Sequence, residues 1–312
     1  MPRKIIIDTD PGQDDAVAIL LALASPELEV LGLVAVAGNV PRALTERNAR
    51  RIVELAGRPD VPVHAGAVRP LVRPPITAEH VHGETGLDGA DLPAPEVPLH
   101  PQPGVDFIVE TLLAAEPGEV TLCTLGPLTD VALALNRAPE IAPRIREIVM
   151  MGGAYFEVGN ITPTAEFNVY VDPEAADVVL RSGVPVTMLP LDVTHAALAT
   201  PERLARLRAL GNRAGAVVAA MLGFSERFDR EKYATPGAPV HDPNVIAWLL
   251  APELYRGRRV NVTVECASPL TLGMTVADYW RVTDRPANAL FLRGVDDAGF
   301  FDLLAERLAS LP

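Results

Sequence analysis

The chain has 312 residues, and 27 Lys+Arg against 40 Asp+Glu leave a formal charge of −13. A hydrophobic fraction of 49% with only 21% charged residues marks a core-rich folded protein and excludes disorder over most of its length. No apolar run reaches the roughly 20 residues that span a bilayer, and the acidic balance argues against a binder of nucleic acid polymers, which needs a basic stripe.

Strand-length apolar runs alternate with helical patterns from the start. Lys4–Thr9 is expected as a buried strand, Asp14–Ala24 as a helix, Val30–Ala37 as a strand and Ala43–Ala56 as a helix. A short strand Val63–Ala65 and a helix Asp106–Ala115 follow. Then come strand Val120–Leu125, helix Thr129–Asn136, strand Ile148–Met151, helix Pro173–Arg181 and strand Val186–Leu189. This alternation implies one α/β domain, an open and mostly parallel sheet with helices on both faces. Two stretches interrupt it, 68–103 and 223–243, rich in Pro, Gly, His and charge, and both are expected as functional loops. The start carries only three apolar residues before Asp8, too few for a signal peptide. Cys123 and Cys266 build no disulfide framework, so a reducing cytoplasm is expected.

Ligands in open α/β sheets bind at the carboxyl ends of strands. The first such end reads Asp8-Thr9-Asp10-Pro11-Gly12-Gln13-Asp14-Asp15, four carboxylates in eight residues. Pleating is expected to put Asp8 and Asp10 on one side, with Asp14 and Asp15 in the first turn of the next helix, where the macrodipole favours negative charge. A cap needs one or two acids, whereas four converging acids repel unless a cation sits among them. Oxygen-only ligands point to Ca²⁺ or Mg²⁺ rather than zinc. A dinucleotide fold is excluded, because the turn has one glycine, Gly12, where Gly-x-Gly-x-x-Gly is needed. On this segment alone a Mg²⁺ phosphohydrolase with Asp8 as nucleophile stays open. Against it, the only lysines are Lys4 and Lys232, neither after a strand.

The segment Asp8–Ala16 resembles the signature of the inosine–uridine preferring nucleoside hydrolases. The likeness continues through Gly38-Asn39, His82–Gly89, Leu125–Thr129, Met151-Gly152-Gly153, Asn160, Glu166-Phe167-Asn168 and His241-Asp242-Pro243. It implies a core of about eight mostly parallel strands and Ca²⁺-dependent cleavage of the N-glycosidic bond of ribonucleosides. Asp10, Asp15, Asp242 and the Leu125 carbonyl would hold one Ca²⁺ per chain. Asp10 would also take a proton from the calcium-bound water that attacks the anomeric carbon. Asp14, Asn39, Asn160, Glu166 and Asn168 would hold the ribose hydroxyls, and Asp8 would order the loop from behind. A homodimer or homotetramer is implied in the same way. A non-catalytic nucleoside- or calcium-binding relative is the alternative, and it would be expected to have lost Asp10 or His241.

The chemistry agrees with that resemblance. Breaking an N-ribosidic bond builds positive charge on the sugar, and a carboxylate-lined pocket stabilises it. A departing base takes a proton, and histidine suits that task near neutral pH. The resemblance puts His241 there and His82 near the base, with Phe167 and Tyr233 also in contact with it. His195 is expected to be structural. The only tryptophans, Trp248 and Trp280, lie away from the motifs, unlike the stacking tryptophans of purine-specific relatives. A pyrimidine or broad preference (uridine, cytidine, inosine) is therefore expected. Leu272 stands where relatives usually carry arginine, and nothing in the sequence accounts for it.

Taken separately, several of these residues have plainer explanations. Asn39 fits a turn, Glu166 and Asn168 fit the outer face of a strand, and Asp242 fits an N-cap before Pro243.

Overall fold

The structure is a computed structural model that describes residues 1–233 and 235–312, with only the backbone path for 226–233. Among the described residues, eight strands form one sheet: β1 (Arg3–Thr9), β2 (Leu28–Ala35), β3 (Val63–Ala65), β4 (Val120–Thr124), β5 (Ile145–Met151), β6 (Val186–Leu189), β7 (Tyr255–Val260) and β8 (Ala289–Val295). Their order is β3-β2-β1-β4-β5-β6-β8-β7. Every pairing is parallel except β8 with the edge strand β7. The expected α/β architecture is thus present, with one antiparallel edge.

Alternation along β1 explains its burial. Ile5 and Ile7 enter one apolar cluster and Ile6 the other, so both faces are covered. The helix Gln13–Leu23 is buried at almost every position, packed between the sheet and the helices Arg213–Tyr233 and Pro243–Leu250. An all-round apolar helix is a core helix. On the opposite face the helices Gly104–Ala114, Thr129–Arg137 and Pro173–Arg181 cover β4, β5 and β6.

Strand order reverses at β1. Its chain neighbours β2 and β3 lie to one side, and β4, β5 and β6 to the other. The crevice between the carboxyl ends of β1 and β4 is the switch point at which such sheets bind ligands. It is flanked by Asp10 and Leu125.

Two expectations change. Residues 223–233 are not a loop but the last turns of the helix Arg213–Tyr233. The run Ser225-Glu226-Arg227-Phe228-Asp229-Arg230-Glu231-Lys232 lacks Pro and Gly and is rich in Glu, Arg and Lys, which lose little rotamer freedom in a helix. Glu166 and Asn168 do not lie on a strand; they open the short helix Phe167–Val171. Both cysteines are free, as expected. No helix among the described residues is long and apolar enough to cross a membrane.

Candidate active site

Asp15 ties the end of β1 to the following helix. Its Oδ1 accepts hydrogen bonds from the Thr9 hydroxyl at 2.6 Å and the Asp10 amide at 3.3 Å. Oδ2 accepts from the Gly12 amide at 3.0 Å and from Asn39 Nδ2 at 3.2 Å. The bond from Gly12 satisfies one orphan donor of the helix N-terminus. Capping and the acid cluster therefore share one carboxylate.

Asp10 is fully buried, and its Oδ2 accepts the Asn39 amide at 2.7 Å. Its Oδ1 meets no hydrogen-bond donor. Glycines make room for this carboxylate: a Cβ at Gly38 would come within 2.0 Å of Oδ2, and one at Gly126 within 2.3 Å of Oδ1. Ligand oxygens of Asp14, Asp15 and Asp242 all lie within 4.8 Å of one another. At an effective dielectric of 20, two charges that close repel by about 3.5 kcal/mol, a repulsion that a cation among them would relieve. Burial is the largest cause that raises each acid: it pushes Asp10 and Asp242 well above the usual carboxylate range and Asp15 up to about 6, and the neighbouring acids push further.

Asp242 occupies the N-cap position before Pro243, as its sequence suggests, but its side chain makes no capping bond. It turns to the cluster instead. The donor set is hard oxygen from buried carboxylates, with one buried oxygen of Asp10 unpartnered, which suits a divalent cation.

The cluster opens into a cleft of about 830 Å³, counted out to its mouth and including open solvent. Asp14, Asn39, Leu125, Asn160, Glu166, Phe167, Asn168, His82, His241 and Asp242 all line it. Residues from across the chain are thus brought together at one cleft. Glu166 is buried; its Oε2 accepts the amides of Gly153 at 2.9 Å and Val169 at 3.2 Å, and Oε1 accepts that of Asn168 at 2.8 Å. Burial nevertheless raises its pKa. Asn160 Oδ1 accepts the Phe167 amide at 2.9 Å. Asn168 Nδ2 donates to the Leu125 carbonyl at 2.6 Å, which leaves that oxygen a second lone pair.

His241 Nδ1 lies 2.8 Å from the buried Thr194 hydroxyl. His195 lies behind, its Nδ1 2.9 Å from Glu157 and its ring 5.7 Å from that of His241. The side chain of Tyr233 lies outside the described residues. The sequence reading missed the apolar wall made by Ala78, Val81, Met151, Ile161, Leu222 and Pro239, together with Ser225. Only Met151 carries a motif signal; the others are ordinary apolar or small residues, recognisable only once the fold brings them together. Neither Asp8 nor the fully buried Asp10 and Asp15 line the cleft, but Asp8 faces Asp130 in the interior rather than the acid cluster. That placement removes it as a nucleophile.

A sequence model described as inosine-uridine preferring nucleoside hydrolase matches residues 5–302. The chain belongs to the inosine–uridine preferring nucleoside hydrolase family. It is 57% identical over 309 residues to an uncharacterized protein of Schizosaccharomyces pombe, covering 99% of this chain and 100% of that one. It is 49% identical over 312 residues to the pyrimidine-specific ribonucleoside hydrolase RihA of Photobacterium profundum, at 99% and 100% coverage. Among solved structures, the purine-preferring ribonucleoside hydrolase from Gardnerella vaginalis superposes with a TM-score of 0.92 at 33% identity, over 98% of each chain. The named relatives are ribonucleoside hydrolases, which are glycosidases, and this nucleoside hydrolase is an enzyme of that class.

Proposed function

We propose that this enzyme hydrolyses the N-glycosidic bond of pyrimidine ribonucleosides, yielding free base and ribose, with Ca²⁺ as its metal. The observation that carries the reading is the junction of the Asp14–Asp15–Asp242 cluster with a cleft lined by Asn39, Asn160, Glu166 and Asn168. Asp10, Asp15, Asp242 and the Leu125 carbonyl would hold the ion. When bound, it supplies an electrostatic hold on a water and a lowered pKa for it.

Asp10 accepts the proton of the attacking water at its unpartnered Oδ1. Asp14, the least buried acid of the cluster, joins Asn39, Asn160, Glu166 and Asn168 in gripping the ribose hydroxyls. These groups stabilise positive charge on the ring as the bond breaks. His241, its Nδ1 engaged by Thr194, gives the leaving base a proton from Nε2. The pyrimidine preference rests on the higher identity to the RihA of Photobacterium profundum and on a cleft without tryptophan among its described lining residues. Phe167, which lines the cleft, contacts the base. A cytoplasmic homodimer or homotetramer completes the reading.

The test is a panel of ribonucleosides assayed for reducing sugar, with and without chelator and added Ca²⁺. Ribose released from uridine and cytidine, lost on chelation and restored by Ca²⁺, is the expected result. Hydrolysis of phosphate esters alone overturns it.

A further inference from the structure

Gln13 stands beside the acids of the site, yet its side chain turns away to the segment 82–88. It is 1% exposed. Its Nε2 donates to two main-chain carbonyls, His82 at 2.9 Å and Asp88 at 3.1 Å. An amide nitrogen carries two hydrogens, and both are used. Its Oε1 lies 2.6 Å from His82 Nδ1.

The carbonyls decide the orientation of the amide. They can only accept, so exchanging its oxygen and nitrogen would set oxygen against oxygen twice in a buried place, where each unmade bond costs about 1–3 kcal/mol. Oε1 therefore faces the ring, and an amide oxygen can only accept. The hydrogen between them belongs to His82 Nδ1. A neutral imidazole carries one N–H, so the lone pair is on Nε2. The ring rests against Gly12, where a Cβ would come within 2.5 Å of Nδ1. Burial favours the neutral ring and outweighs Asp14, which opposes it. His82 lines the cleft, and its Nε2 meets no hydrogen-bond partner among the described residues.

We propose that Gln13 is a positioning residue that locks His82 in the Nδ1–H tautomer, so that Nε2 offers the nucleoside a hydrogen-bond acceptor. The group recognised is an N–H or O–H donor of the substrate: the imide N3–H of uracil or the ribose 5′-hydroxyl. The tautomer stands on the protein's own hydrogen bonds; the identity of the ligand rests on the ribonucleoside hydrolase reading. The two histidines of the cleft then have opposite tasks, His82 accepting a hydrogen bond and His241 donating a proton.

The test combines NMR with kinetics on the full chain. Histidine-specific ¹⁵N labelling, with the His82 signals assigned by their loss in His82→Asn, is expected to show a protonated Nδ1 and an unprotonated Nε2 in the wild type. In Gln13→Met the ring should revert towards Nε2–H, the tautomer free imidazole side chains prefer. KM for uridine should rise about 3- to 10-fold in that variant, as for one lost hydrogen bond, with a smaller change in kcat. Wild-type enzyme should show a similar rise with either 3-methyluridine or 5′-deoxyuridine, which identifies the donor, and Gln13→Met should add nothing further for that analogue. A wild-type Nε2–H tautomer overturns the proposal even if Gln13→Met fails to fold, and so does an equal penalty of Gln13→Met on all three substrates. A chain inactive on every ribonucleoside but with Nδ1–H at His82 removes the hydrolase reading and supports the tautomer assignment.

Discussion

Two groups of buried acids meet at the end of β1, and they differ in what can neutralise them. Asp14 and Asp242 line the cleft, and Asp10 and Asp15 lie fully buried beside them. Asp8 and Asp130, the latter in the first turn of the helix Thr129–Arg137, face each other in the interior. Asp130 Oδ1 accepts the Ala67 amide at 2.8 Å, but its Oδ2 and both oxygens of Asp8 meet no donor. Two carboxyls that face each other form a hydrogen bond only if one is protonated. Burial pushes Asp8 well above the carboxylate range and Asp130 up to about 7, so this pair retains a proton near neutral pH. Identical side chains two residues apart thus meet different surroundings: Asp10 faces the acid cluster that would hold a cation, and Asp8 faces a single carboxyl with which it shares a proton.

The largest expected effect separates the groups by activity. Asp10→Asn keeps the shape of the side chain but removes the proposed base, and kcat/KM for uridine should fall about 10²- to 10⁴-fold. Asp130→Asn keeps the contact with Asp8 and should change kcat/KM less than about tenfold. Comparable losses in the two variants would erase the distinction.

Metal binding separates them again. As the proposed ligand, calcium at about a hundred times its Kd should stabilise the fold by about 2.7 kcal/mol, a rise in Tm readable by calorimetry on chelated and reloaded protein. The rise should persist in Asp130→Asn and disappear in Asp242→Asn. If Asp242→Asn retained it, Asp242 would not be a ligand.

The comparison was only half visible in the sequence. Four carboxylates in eight residues pointed to a cation, whereas the sugar came only with the family resemblance, since Asn39 and Asp242 taken alone fit a turn and an N-cap. The partition of Asp8 from Asp10 was not visible. Alternation predicts one side for both, but β1 ends at Thr9, and Asp10 turns with the chain towards Asn39 while Asp8 keeps its place in the sheet. Nothing local tells Asp8 that its neighbour will be Asp130, 122 positions away. The alternating elements to Leu189 were legible from apolar period. The helix Arg213–Tyr233 was not, since its polar second half reads as a loop, and neither was the apolar wall of the cleft.

Stability against pH sharpens the contrast with a smaller effect. Asp130 in the fold holds its proton up to about pH 7, against about 4 for an unfolded aspartate. Between those values the unfolded chain has already released a proton that the folded chain still binds. The folded state gains from this pair below about pH 4, and the gain is lost as pH rises through 7. Asp15, pushed up to about 6, acts with the same sign in chelated protein. In saturating Ca²⁺ the Asp15 contribution should vanish, because the ion holds that carboxylate ionised, while the Asp130 contribution remains. The decline in Tm from pH 4 to 7 in Ca²⁺ should therefore be shallower in Asp130→Asn than in the wild type. Parallel profiles would show that no proton is held between Asp8 and Asp130.

The smallest effect concerns the far wall of the open site. Thr194 and His241 meet through one hydrogen bond of 2.8 Å, and a neutral bond of this kind contributes about 0.5–1.5 kcal/mol. Thr194→Val fills the same space without the hydroxyl, so kcat on uridine should fall about 3- to 10-fold, and Thr194→Ser should recover most of it. The choice of substrate tells orientation of His241 from general damage. A p-nitrophenyl riboside releases a phenolate that is stable without a proton, so its hydrolysis needs the acid-lined half of the cleft but not the histidine. Thr194→Val should leave that reaction nearly unchanged, whereas Asp10→Asn should abolish it. An equal loss on both substrates would mean that Thr194 supports the helix Leu191–Thr194 rather than the proton donor.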